Sequence, residues 1–157
     1  MLGVLILAGL VLSPVTARSA ELVIGKNLTP GMPLNEAIKV LGIPDSVTVV
    51  RGPDENLDSI EINYSAHGLK IRALSKGTKV EAIELSPQFK GKFANGLKLG
   101  DKFPKIVQLY GVPKTLTSQV VRYPDKGLYF QLSQDTLLLA KVFMKGTQLM
   151  QHKLMNP

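Results

Sequence analysis

The sequence predicts an α+β fold, a tandem repeat of one short helix plus an antiparallel β-meander, with the helices on one face of a shared sheet. Three observations predict it: a helix-and-stop phrase written twice, a tyrosine-to-glycine hairpin phrase written twice after it, and period-two alternation following each hairpin.

The first phrase pairs "LTPGMPLNEAIKVLGIPDSV" (28–47) with "LKLGDKFPKIVQLYGVPKTL" (97–116) at an offset of 69 residues. Leu28/Leu97, Gly31/Gly100, Leu34/Phe103, Ile38/Val107, Gly42/Gly111, Ile43/Val112 and Pro44/Pro113 coincide. Leu34, Ala37, Ile38 and Leu41, and again Phe103, Ile106, Val107 and Tyr110, follow the i, i+3, i+4, i+7 spacing of one helix face. Pro33 and Pro104 fall in the first turn, where a missing N–H is harmless, and Gly42 and Gly111 fall where a left-handed residue ends a helix. Leu34, Ile38, Leu41, Phe103, Val107 and Tyr110 are therefore expected to pack on the sheet.

In the second phrase Tyr64 precedes Gly68 in "YSAHGLKI" and Tyr123 precedes Gly127 in "YPDKGLYF". Ile60, Ile62 and Tyr64 alternate with polar residues, as do Leu69 and Ile71, and "KVEAIEL" follows a "SKGT" turn; "TSQVVRY", "GLYFQL" and "TLLLAKVFM" repeat the series around "PDKG" and "SQDT". The offset here is 59, so the first copy holds ten more residues between its proline and its tyrosine, around "RGPDENLD", which lengthens its first hairpin. One helix on a four-strand meander is a marginal core alone, and two copies joined at an edge strand share one, giving a sheet of seven or eight strands with one face open.

The resulting organisation is residues 1–20 as a signal peptide, 21–86 as the first repeat, 87–96 as a linker, 97–144 as the second repeat and 145–157 as a C-terminal tail. The apolar run of "MLGVLILAGLVLSPVTA" is too short to span a bilayer comfortably and ends in small residues, with cleavage after Ala17 or Ala20; no Lys or Arg precedes it. The expected location is periplasmic or secreted. With 45% hydrophobic and 20% charged residues the chain is a folding one, and with no cysteine it has no disulfide, thiol nucleophile or lipid-acceptor thiol.

The doubled pattern of Gly31 and Leu34 (Gly100 and Phe103), the Gly-x-Pro stop at 42–44 (111–113), the strand ending in tyrosine, and Gly68, Leu69 and Ile71 (Gly127, Leu128 and Phe130) resembles the repeat of the beta-lactamase-inhibitor-protein-like fold, shared with small outer-membrane assembly lipoproteins of the SmpA/OmlA type. The resemblance covers residues 28–144 and implies an exported, non-enzymatic protein that binds other proteins. The missing acceptor cysteine departs from the lipoprotein pattern, and the missing tryptophan from an aromatic inhibitor surface.

Little else carries chemistry, and neither an enzyme nor a cofactor is expected. His67 lies in the "SAHG" turn and reads as a solvated turn residue; no nucleophile-elbow motif accompanies it. Asp54, Glu55 and Asp58 lack the alternation and terminal glutamate of a calcium loop and read as a polar hairpin tip. Met150, His152 and Met155 could hold a soft cation but read as a frayed amphipathic tail, so no metal is expected. Gly91, Gly96 and Gly100 have the wrong spacing from Lys92 for a phosphate loop. Phe89 to Phe93, "FKGKF", reads as a linker folding back on the core rather than as a nucleic-acid surface.

Charge is distributed unevenly. Residues 21–85 hold seven Lys and Arg against nine Asp and Glu, and residues 86–157 hold eleven against three. In the second copy, alternation with Leu128, Phe130 and Leu132 places Tyr129 and Gln131 on the open face, with Arg122 and Lys141 beside them on adjacent strands. Arg122, Tyr129, Gln131 and Lys141 are the expected partner-binding residues, forming a basic patch around an aromatic anchor for an acidic protein partner. The alternative is a structural envelope protein in peripheral contact with anionic lipid or wall polymer through the basic second repeat.

Overall fold

A computed structural model describes residues 21–150. The predicted signal peptide and residues 151–157, with His152 and Met155, lie outside the described residues.

The chain is mixed α+β, with two eight-residue helices, α1 (Leu34–Leu41) and α2 (Phe103–Tyr110). The strands are β1 (Val23–Ile24), β2 (Ser46–Val50), β3 (Ser59–Tyr64), β4 (Leu69–Leu74), β5 (Ala82–Leu85), β6 (Lys92–Phe93), β7 (Thr115–Leu116), β8 (Val120–Tyr123), β9 (Leu128–Ser133) and β10 (Thr136–Phe143). Eight form one antiparallel sheet in the order β2-β3-β4-β5-β10-β9-β8-β7, and β1 and β6 pair in parallel as a separate ribbon. The two runs of consecutive strands meet at β5 and β10, where Leu85 faces Ala140 and Ala82 faces Phe143.

Local chemistry sets each boundary. Gly42 and Gly111 end the helices at positive φ, and their N–H groups still donate to Ile38 and Val107; their ψ values, −150° and −164°, are extended rather than the left-handed helical value expected from sequence. Gly68 and Gly127 are left-handed, at φ 67° and 65°, and each closes a short 3₁₀ turn that follows its tyrosine. Gln134 and Asp135 both have positive φ and turn β9 directly into β10. The extra residues of the first half form a loop with a 3₁₀ turn (Glu55–Leu57) between β2 and β3, so that β2 runs for five residues where β7 has two.

Ala37 and Leu41 of α1 and Ile106 of α2 are buried in one cluster with Ile62, Ile71, Ile83, Val121, Phe130 and Val142 of the sheet. Leu34, Phe103 and Tyr110 pack against that cluster as expected, but Ile38 and Val107 are not part of it, and Ile38 is 37% exposed. In a helix this short the contact stripe runs through i, i+3 and i+7, and the i+4 position falls on its flank. Phe89 and Phe93 fold back into the core, both buried. Residues 145–150 are not a frayed tail: Thr147 and Leu149 are buried, and Gln148–Met150 is a 3₁₀ turn.

His67 is also tied down. Its Nε2 lies 3.0 Å from the Leu41 carbonyl, at the end of α1, and so donates to it. At the matching end of α2 the Tyr123 hydroxyl donates to the Gly111 carbonyl at 2.7 Å.

Candidate functional site

On the sheet face turned away from the large cluster, alternation sets out a polar row beside a small apolar cluster of Ala82, Tyr129 and Phe143. One row of directly opposed residues crosses all eight strands: Ser46, Asn63, Lys70, Glu84, Lys141, Tyr129, Arg122 and Thr115. On β3 and β4, Glu61 and Arg72 face each other in the neighbouring row.

These groups form a linked set of ion pairs. Glu84 lies 3.5 Å from Lys141, 3.7 Å from Lys70 and 3.8 Å from Arg72, and Glu61 bonds both Lys70, at 3.2 Å, and Arg72. The carboxylates and Arg72 are largely shielded from water, so these contacts are screened less than ordinary surface pairs. Where β3, β4, β5 and β10 meet, a shallow depression of about 370 Å³ is lined by Asn63, Lys70, Glu84, Ser86, Gln88 and Leu139.

The expected partner-binding residues do come together. Arg122 and Lys141 stand directly opposite Tyr129 on either side, and the Arg122 guanidinium carbon lies 5.3 Å from the centre of the Tyr129 ring. Gln131 follows two residues along β9, opposite Val120 and Leu139. Two corrections apply. Tyr129 is only 5% exposed, packed with Ala82 and Phe143 and covered by Val120 and Met150, so it is a buried platform rather than a projecting anchor. Lys141 is paired with Glu84 of the first half, which moderates the basic patch. Alternation along β9 gives the face of a residue but not what later chain lays over it.

Asp58 is a third correction. It turns inward from the acidic tip: its Oδ1 accepts from the Gly52 N–H at 2.9 Å and its Oδ2 from Arg51. Glu84, Lys70 and Arg72 were missed as members of the site, although the alternation of Lys70 and Arg72 with Leu69 and Ile71 was visible. Among the described residues, no three His, Asp or Glu side chains converge as metal ligands, and no helix is long and apolar enough to cross a membrane.

Several carboxylates titrate below their ordinary values. Hydrogen bonds from the Ser65 hydroxyl and N–H depress Asp45, and the Gly52 N–H and Arg51 depress Asp58. Burial pushes Glu61 upward, but its bonds from Arg72 and Lys70 outweigh burial and hold it low. A carboxylate with a lower pKa folded than unfolded adds stability that is whole above the unfolded value and is lost as pH falls through the folded one. The thermal midpoint is therefore expected to hold down to about pH 5 and to decline below about pH 4, less steeply in Glu61→Gln. A melting series between pH 3 and 7 checks this, and a midpoint unchanged to pH 3 would refute it.

Comparison of the chain with protein-family models, characterised proteins and solved structures gave no match.

Proposed function

We propose that this protein is an exported, non-enzymatic binding module that receives an acidic protein partner on the sheet face opposite its helices. In this reading residues 21–86 and 97–144 are two copies of one helix-and-meander unit, both helices lie on one face, and the relationship is to the beta-lactamase-inhibitor-protein-like fold. The location is the periplasm or the exterior.

The observation that supports the reading is the row of polar and charged side chains crossing all eight strands, to which neither α1 nor α2 contributes a covering residue. Among the described residues Lys70, Arg72 and Lys141 share this face with Glu61 and Glu84, three cations to two carboxylates, a balance that favours an anionic partner. Tyr129 restrains Arg122 through their cation–π contact, which fixes where that charge sits on the face.

The experiment is capture of partners from envelope extract by wild type and by Arg122→Glu with Lys141→Glu, at low and high salt. Binding is expected to weaken at high salt and to fall at least tenfold in the double variant, because attraction at this surface is screened over about 8 Å at physiological ionic strength. Binding insensitive to salt and to the reversal would remove this face from consideration. The charge excess of residues 86–157 favours a second reading, attachment to anionic lipid or wall polymer. Repeating the capture after detergent extraction separates the two, since a protein partner survives lipid removal.

A further inference from the structure

The two edges of the sheet are built differently. At one edge β7 is only two residues long, too short to template another strand. At the other, β2 runs Ser46-Val47-Thr48-Val49-Val50, five residues without a charge, a proline or a glycine. Natural edge strands usually carry one of those protections, because alternate N–H and C=O groups point outward unpaired. The side chains of β2 are open as well: Val47 and Val49 face Ile62 and Ile60 across the ladder, on the core side of the sheet, yet they are 58% and 57% exposed. Ile43, just before the strand, is 96% exposed.

We propose that β2 is a self-association edge, pairing antiparallel with β2 of a second copy of this chain about a two-fold axis through Thr48. Charge complementarity selects a second copy and this register. With Thr48 opposite Thr48, Ser46 meets Val50, Val47 meets Val49, and Asp45 of each copy meets Arg51 of the other. Asp45, Val47, Val49 and Arg51 share one face by the two-residue period, so four valines form a contact closed at each end by an ion pair. The Arg51 side chain is 81% exposed, with donors to spare beyond its contact with Asp58, and Asp45, whose Oδ2 accepts from the Ser65 N–H and hydroxyl, keeps its Oδ1 for the pair. Shifting the register by two residues in either direction sets Asp45 opposite Val49 or Pro53 and loses both ion pairs. The remaining β2 residues carry no charge to repel their copies. The joined sheet would have sixteen strands, twice the eight of one chain. Apart from Ser46, which ends the polar row, this edge is separate from the face proposed to bind a partner.

Five paired residues a side are a small interface, so the expected state is a reversible dimer with a Kd on the order of 10–100 μM. Sedimentation velocity of the full chain across that range tests it. Val47→Lys, at a position 58% exposed, is expected to weaken association at least tenfold and to leave the thermal midpoint unchanged. Thr48→Cys is the second test. The chain has no cysteine of its own, and residues facing each other on antiparallel strands have Cα atoms about 4.5–5.5 Å apart, within disulfide range. Thr48→Cys should therefore cross-link into a covalent dimer on mild oxidation, and Leu116→Cys, on the opposite edge, should not. A wild type monomeric throughout, association unaffected by Val47→Lys, or equal cross-linking at the two cysteines would each overturn the proposal; the second result would place association elsewhere in the chain.

Discussion

Replacing Phe130 by alanine is expected to lower the unfolding free energy by about 3–5 kcal/mol. Phe130 is fully buried, and its ring lies 6.0 Å from Phe93, 5.7 Å from Tyr110 and 6.2 Å from Tyr123, centroid to centroid. Those rings come from β6, α2 and β8, so one side chain on β9 fastens the linker, the second helix and the neighbouring strand to the sheet. Truncation removes the transfer energy of the ring, leaves a cavity that rigid neighbours cannot fill, and forfeits edge-to-face contacts of roughly 0.5–1.5 kcal/mol each. A domain of ordinary stability holds about 5–15 kcal/mol, so a large share of the margin is at stake, and the midpoint should fall by roughly 10–15 °C. Phe130→Leu should cost about 1–2 kcal/mol. Denaturant unfolding gives the values. A loss under about 1 kcal/mol for Phe130→Ala with an unchanged slope would show that the aromatic cluster does not carry the core.

The parts of the fold legible in the sequence are those fixed by local chemistry. Both helices lie where the i, i+3, i+4, i+7 spacing put them, though the i+4 residues Ile38 and Val107 fall outside the core cluster, and β4 and β9 begin directly after Gly68 and Gly127. The class, mixed α+β on an antiparallel sheet, followed from those signals. The parallel pair of β1 and β6 was not legible, because two residues carry no period and the partners lie 69 positions apart. β2 was implied by the lengthened first hairpin, but its residues were not placed beside their turn-rich neighbour, although Val47 and Val49 do alternate with Ser46 and Thr48. The site was legible to the extent that alternation could give it: Arg122, Tyr129 and Lys141 share a face and a row. Its electrostatics were not, since Glu84 reaches Lys141 only through the long-range pairing of β5 with β10. The burial of Tyr129 was not either, because Met150, which covers it, lies beyond the last strand and its position depends on tertiary packing alone.

The second large effect is expected at the two hairpin glycines, and it separates two physical causes. Gly127 has φ +65°, and a Cβ built there meets the carbonyl oxygen of Phe143 at 2.5 Å; Gly68 has φ +67°, and its Cβ would meet the N of Phe89 at 2.3 Å and the carbonyl carbon of Gln88 at 2.4 Å. In both cases the obstacle is backbone, and it is held in place: Phe143 donates its N–H to the Gly127 carbonyl at 2.8 Å, and Ser86 donates both its N–H and its hydroxyl to the Gly68 carbonyl at 2.9 Å. An alanine therefore carries the left-handed cost of about 1–2 kcal/mol and must also push the chain away from the end of β10 or β5. Those are the two strands that join the halves of the sheet. Gly146 provides the control, having φ +77° with nothing within 4 Å of its Cβ. Gly146→Ala should cost only the conformational share, roughly 1–2 kcal/mol, whereas Gly68→Ala and Gly127→Ala should each cost at least twice that and broaden the amide spectrum around Ser86 and Phe143. Equal midpoints for Gly127→Ala and Gly146→Ala would mean that the collision is relieved by a small shift of the turn, and that the close approach of hairpin and sheet joint contributes nothing to the stability of the fold.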